Sequence, residues 1–92
     1  MSKVVRVAQA SQPSFGRVRV GVVLAGIKDG VPTARLLLRG ERQSDVVDLT
    51  EGNDVDLFGE GRLALVSVHP RGGPAGRDEV TLRYTPAETS AE

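Results

Sequence analysis

Cysteine and tryptophan are absent, histidine and methionine occur once each, and only three side chains are aromatic. Without cysteine there is no disulfide, no thiolate metal site and no cysteine nucleophile. Because His69 is the sole histidine, any histidine-dependent acid–base mechanism must run through it. It stands before Pro70 at the end of an apolar run, where spacing assigns it neither a serine nor an aspartate, so no catalytic residue is expected. No apolar stretch reaches the roughly 18 residues of a membrane-spanning helix. Arg6 interrupts the apolar residues near the N-terminus before they reach the length of a signal-peptide core, which makes a cytoplasmic chain the expectation. Net charge is also missing, with twelve basic groups balancing twelve acidic ones.

That zero hides an asymmetry. Residues 1–42 carry eight basic groups and two acids, whereas residues 43–92 carry four basic groups and ten acids. Opposite charge on the two halves bears on association and steering rather than on fold. The length of 92 residues suits one domain, and a chain of this size buries only roughly 60–65% of its unfolded surface. Small domains without disulfides often complete their apolar burial in a second subunit, which favours a homo-oligomer.

Fourteen valines and nine leucines dominate the apolar content, as suits a pleated surface better than a helix. The prevailing period is two. Val18, Val20, Val22 and Leu24 alternate with Arg17, Arg19, Gly21 and Val23. Asp29-Gly30 then supplies a turn, and Ala34, Leu36 and Leu38 return on one face with Thr33, Arg35, Leu37 and Arg39 on the other. This predicts a long hairpin, Arg17–Ile27 with Thr33–Arg39. Shorter strands are predicted at Lys3–Gln9, Asp45–Leu49, Val55–Phe58, Leu63–Val68 and Glu79–Tyr84. Leu63–Val68 is so apolar that it reads as covered on both sides. Thr85–Glu92 reads as a mobile polar tail beyond a domain of residues 1–84. Seven short strands without a helical period predict an all-β fold, an antiparallel β-sandwich first and a barrel second.

The halves also offer a common plan. Val5-x-Val7, Phe15, Val18-x-Val20 and Ala34–Leu38 are matched by Val47-x-Leu49, Leu57, Leu63-x-Leu65 and Val80–Tyr84. A pseudo-twofold domain would follow, although alternation alone leaves that open. The string Val47-Asp-Leu-Thr-Glu-Gly-Asn-Asp-Val-Asp-Leu57, followed by Leu63-Ala-Leu-Val-Ser-Val68 and Val80-Thr-Leu-Arg-Tyr84, resembles small actinobacterial β-domains of unknown function. The resemblance spans about the last forty residues and implies an all-β sandwich with no activity to carry over.

Four clusters are candidates for chemistry. The acidic turn from Asp48 through Glu51, Asn53, Asp54 and Asp56 offers hard oxygen ligands, but it lacks EF-hand spacing and holds one imperfect glycine-rich copy where calcium rolls need several. No metal and no cofactor is therefore expected. The loop from Arg71 to Arg77 brackets glycines with two guanidinium groups that could meet an anion, yet it lacks the Gly-Lys-Ser/Thr ending of a phosphate loop. The third is His69. The fourth and strongest is the outer face of the hairpin, where Arg17, Arg19, Arg35 and Arg39 would gather beside Val23 and Leu37. Arginine among exposed aliphatic groups suits a protein interface. The expected function is thus a non-catalytic protein-interaction or assembly module. Its Arg face would meet the acidic surface of Asp45, Asp48, Asp54, Asp56 and Glu60 on another copy or a partner. The alternative is polyanion or nucleic-acid binding through the same face, disfavoured by zero net charge and the lack of aromatics for base stacking.

Overall fold

The computed structural model describes residues 2–72 and 74–87. They form eight strands: β1 (Lys3–Ala8), β2 (Ser14–Phe15), β3 (Val18–Lys28), β4 (Val31–Arg39), β5 (Ser44–Thr50), β6 (Asp54–Asp56), β7 (Gly61–His69) and β8 (Glu79–Pro86). A short 3-10 turn at Pro74–Gly76 interrupts the loop before β8. The strands build two antiparallel four-stranded sheets, sheet I in the order β1-β8-β7-β6 and sheet II in the order β2-β3-β4-β5. The all-β sandwich expected from the alternation is the fold. Between the sheets lies one core, with Val20, Ala34, Leu36, Leu57, Leu63, Val80 and Leu82 fully buried. No charged or polar residue is buried among those described. Burial of this kind supplies the main drive to fold, at about 25 cal/mol per Å² of apolar surface.

The order of the sheets carries a symmetry. Advancing every strand of sheet II by four positions turns β2-β3-β4-β5 into β6-β7-β8-β1, which is sheet I read from its other edge. The registers agree: Val20 pairs with Leu38 and Val22 with Leu36 in one hairpin, as Leu63 pairs with Tyr84 and Leu65 with Leu82 in the other. Ala34 faces Leu49 as Val80 faces Val7. The plan shared by the halves is therefore present in the topology, with a feature that alternation did not reveal. Each half gives its first strand to the sheet of the other, so basic β1 edges the sheet of the acidic half and acidic β5 edges the sheet of the basic half.

Several expected details differ. β3 does not alternate throughout, because a bulge between Val22 and Leu24 sets two residues against one on β4. Leu24 is thereby turned out, 46% exposed, and Ala25 takes the buried position. The matching bulge in β7, between Leu65 and Ser67, leaves Val66 exposed, so β7 is covered on one side and not on both. β2 adds an eighth, two-residue strand that is too short to show a period. The strand expected at Val55–Phe58 is instead Asp54–Asp56, since Phe58 turns to positive φ. β8 runs on to Pro86, so Thr85 and Pro86 belong to the sheet. Glu88–Glu92, the rest of the expected tail, lie outside the described residues, as does Gly73 within the arginine-bracketed loop. The Asp29-Gly30 turn is as expected, with φ of 52° and 78° at its two positions, the left-handed pair that a two-residue hairpin needs.

Candidate interaction surface

The outer face of sheet II is laid out in cross-strand rows. In one, Arg19 faces Arg39, which faces Ser44. The next joins Gly21, Leu37 and Val46, and the third joins Leu24, Arg35 and Asp48. The β3 bulge adds Val23 between the last two rows. Apolar side chains thus hold the middle of the face, with Val46 53% and Val23 44% exposed. Arg19 and Arg39 stand at one end in none of the ion pairs among the described residues.

Arg35 is at the other end, about 13 Å along the strand from Arg39 at the usual rise of a β-strand. It is engaged: its Nε donates to Asp48 Oδ1 at 2.8 Å and its Nη2 to Asp48 Oδ2 at 3.3 Å. That forked hydrogen bond, and then the Coulomb attraction, hold the guanidinium above its usual pKa. The same bond holds the Asp48 carboxyl below the usual carboxylate range. Arg17 does not join this face. It sits in the turn between β2 and β3, where its backbone N–H donates to Glu60 Oε1 at 3.2 Å. Of the four arginines expected together, the structure brings Arg19 beside Arg39, sets Arg35 apart with Asp48, and removes Arg17.

The expected acidic surface is likewise divided. Asp45 and Asp48 belong to β5 in sheet II, and the Asp45 carboxylate accepts the Val46 N–H at 2.9 Å. Asp54 and Asp56 belong to β6 at the far edge of sheet I. There Asp54 pairs with Arg62 at 2.7 Å, which lowers the Asp54 pKa through that hydrogen bond, and Asp56 closes the following turn through the Gly59 N–H at 3.0 Å. Glu60 lies at the Arg17 turn, where its backbone oxygen also accepts the Tyr84 hydroxyl at 2.8 Å. These five acids do not share one face. Two of the three ion pairs among the described residues, Arg35–Asp48 and Arg6–Glu79 at 2.6 Å, join one half of the sequence to the other. The exchange of first strands therefore neutralises part of the charge asymmetry inside the molecule.

In the arginine-bracketed loop, one backbone donor is turned inward to a carboxylate of the chain itself. Asp78 Oδ1 accepts the Arg71 N–H at 3.0 Å and its Oδ2 accepts the Ala25 N–H at 3.1 Å, so the chain's own carboxylate takes the place of an anion at Arg71. Arg77 is exposed. Gln9 completes this tie, donating to the Val23 carbonyl at 2.8 Å and accepting from the Asp78 N–H at 2.9 Å. Together Gln9 and Asp78 close the edge of β3 beyond the short β2. Sequence reasoning missed both, since contacts 14 and 53 residues apart leave no local signal.

His69 is half-buried on the outer face of sheet I, where its Nε2 lies 3.1 Å from Ser67 Oγ and 3.0 Å from Thr81 Oγ1. Two hydroxyls share one ring nitrogen there, and Glu79, the cross-strand neighbour, is paired with Arg6. Shallow hollows elsewhere measure about 220 Å³, near Arg17, Arg42 and Phe58, about 270 Å³, near Leu24, Ile27 and Asp48, and about 420 Å³, along the turn from Arg39 to Ser44. The first two are below the usual 300–1,000 Å³ of ligand sites, and the third is the most open to solvent. Among the described residues no three His, Asp or Glu side chains converge as a metal site would require, and no helix is long and apolar enough to cross a membrane.

No protein-family model, no curated protein and no solved structure matches the chain. The functional reading rests on this geometry.

Proposed function

We propose that the protein is a non-catalytic interaction and assembly module that binds protein through the outer face of sheet II. The observation that carries this reading is the juxtaposition of Arg19 and Arg39, free of ion pairs among the described residues, with the half-buried Leu37 and the exposed Val46 beside it. Apolar area excludes water at the centre of a contact, and arginine contributes planar, multiply donating groups at its border. The complementary surface would present carboxylates about an apolar centre.

Charge reversal tests this. Because Arg17 lies in a turn and Arg35 is held by Asp48, the informative variant is Arg19→Glu with Arg39→Glu. Light scattering after gel filtration should show a multimer for the parent chain, reduced to monomer by the double variant with an unchanged melting temperature. A multimer unaffected by the change would refute the assignment of this face. Polyanion binding is the competing reading, favoured by the two adjacent guanidinium groups and opposed by Asp45 and Asp48 on the neighbouring strand. It requires retention on DNA-cellulose with affinity falling steeply as salt rises.

A further inference from the structure

The molecule closes most of its sheet edges. Beyond β2, the edge of β3 is capped by Gln9 and Asp78. At the equivalent place beyond β6, the edge of β7 is capped by backbone, with the Gly52 N–H donating to the Leu65 carbonyl at 2.9 Å and the Leu65 N–H to the Asn53 carbonyl at 3.0 Å. β2 and β6 are themselves two and three residues long. The outermost strands of full length are β1 in sheet I and β5 in sheet II.

These two edges are equivalent in the symmetry of the fold and opposite in charge. Lys3 corresponds to Asp45, Val4 to Val46, Val5 to Val47, Arg6 to Asp48 and Val7 to Leu49. The β1 edge reads Lys-Val-Val-Arg-Val and the β5 edge Asp-Val-Val-Asp-Leu. Antiparallel strands alternate between residues bonded to one neighbour and residues bonded to the other. Gln9 donates to Asp78, so in β1 the odd-numbered residues bond β8, and Val4, Arg6 and Ala8 present backbone groups to the open edge, the Ala8 carbonyl already accepting the Ser11 N–H at 3.1 Å. Glu51 donates to Pro32 and Gly40 to Gln43, so in β5 the residues facing the open edge are Ser44, Val46, Asp48 and Thr50, the Thr50 carbonyl already accepting the Asn53 N–H at 3.1 Å.

We infer that the chain associates with further copies of itself by edge pairing, β1 of one copy adding antiparallel to β5 of the next with Arg6 opposite Asp48, so that their internal pairs with Glu79 and Arg35 join into one alternating charge cluster across the seam. This register also sets Lys3 opposite Glu51, Val4 opposite Thr50 and Ala8 opposite Val46. Edge-facing backbone groups meet edge-facing backbone groups, the Ala8 and Thr50 carbonyls taking the new donor on their second lone pair, and outward side chains stay on one face. A slip of two residues either way sets Arg6 against Val46 or Thr50 and loses both charge pairs. Pairing β1 with β1 would gather Lys3 and Arg6 of both copies on one seam, and pairing β5 with β5 would gather four aspartates. Like charges across a strand pair oppose both. Opposite charge therefore selects the heterologous contact, which leaves one edge open at each end and builds a filament or ring. The Val46 N–H capped by Asp45 is freed as the new strand arrives, an exchange at an exposed position. The inference rests on the assembly reading above and adds to the Arg19–Arg39 face a second contact, along the strand edges.

Sedimentation velocity across protein concentration tests it with four variants. The parent chain should grow in mass with concentration and shrink in high salt. Arg6→Asp and Asp48→Arg should each weaken association about tenfold or more; each also breaks an internal pair, with Glu79 or with Arg35, so circular dichroism at the assay temperature verifies that both variants are folded. An equimolar mixture of the two should recover it, since each supplies the edge that the other lost. Val46→Pro, which removes an N–H not used within the fold's ladder, should also disperse the assembly. In Val4→Cys with Thr50→Cys, facing residues lie at about 5.5 Å between Cα atoms, within disulfide reach, so oxidation should yield a ladder of covalent multimers. A monomeric parent, variants that associate like the parent, or a mixture without recovery would overturn the proposal. Dispersal by Arg19→Glu with Arg39→Glu alone, with the edge variants intact, would overturn it while leaving the face assignment standing.

Discussion

At the residue scale, backbone conformation constrains some positions more tightly than side-chain chemistry does. Gly61 opens β7 at φ +143°, and a Cβ there would meet the Thr85 carbonyl oxygen, with Pro86 Cα at 3.0 Å. These neighbours are backbone and cannot rotate away. Gly61→Ala should therefore destabilise the fold by more than about 1 kcal/mol, read as a lower denaturant midpoint. Gly30 is constrained differently: it has open space around it and owes its identity to the positive φ of the turn. Asp78 shows a third kind of constraint, since its two oxygens join the β3 edge to the loop before β8. Gly30 was legible from its dipeptide, whereas Gly61 and Asp78 were not, because what fixes them lies far along the chain.

At the element scale, neighbouring strands are tied by cross-strand charge pairs as well as by their ladders. Arg35–Asp48 joins β4 to β5, and Arg62–Asp54 joins β7 to β6. Both carboxyls titrate below the ordinary value of 3.8, so the folded state holds their protons more weakly than the unfolded state does. The resulting stability is present above the unfolded pKa and is lost as pH falls through the folded one. The urea midpoint should be level above about pH 5 and should drop as pH falls below 4. Asp48→Asn with Asp54→Asn should flatten that drop. The effect is small at these exposed pairs, and a variant as acid-sensitive as the parent would show that the pairs do not contribute. The bulges are the other element-scale feature. Alternation predicted Val18, Val20 and Val22 inside, and correctly so, then failed at Leu24, because one extra residue reverses every later side chain. Val23 and Val66 both favour an extended backbone and carry no mark that distinguishes a bulge from a regular position.

At the scale of the whole molecule, each sheet contains three strands from one half and one from the other. Neither half can complete a sandwich alone. Peptides spanning residues 1–43 and 44–92 should each lack stable structure and should regain the β spectrum when mixed, as circular dichroism can follow. A stable fold in either peptide by itself would contradict the exchange of first strands. This arrangement also sets the electrostatics: β1 and β5 carry charge across to the opposite sheet, forming Arg6–Glu79 and Arg35–Asp48 inside the molecule. What remains outside these ion pairs is Lys3 on the β1 edge, Asp45 on the β5 edge and the Arg19–Arg39 corner of sheet II.

The sequence by itself determined the fold class, the long hairpin with its Asp29-Gly30 turn and most of the core, because alternation and turn chemistry act between residues close in the chain. It also showed the two halves to be opposite in charge and alike in pattern. Tertiary structure alone decided which strand joins which sheet, and with it the separation of Arg17 and Arg35 from Arg19 and Arg39. The physical reason is that pairing depends on contacts between distant strands, whose apolar faces are interchangeable in pattern. Partners are selected by register, bulge position and edge capping, which no local window contains.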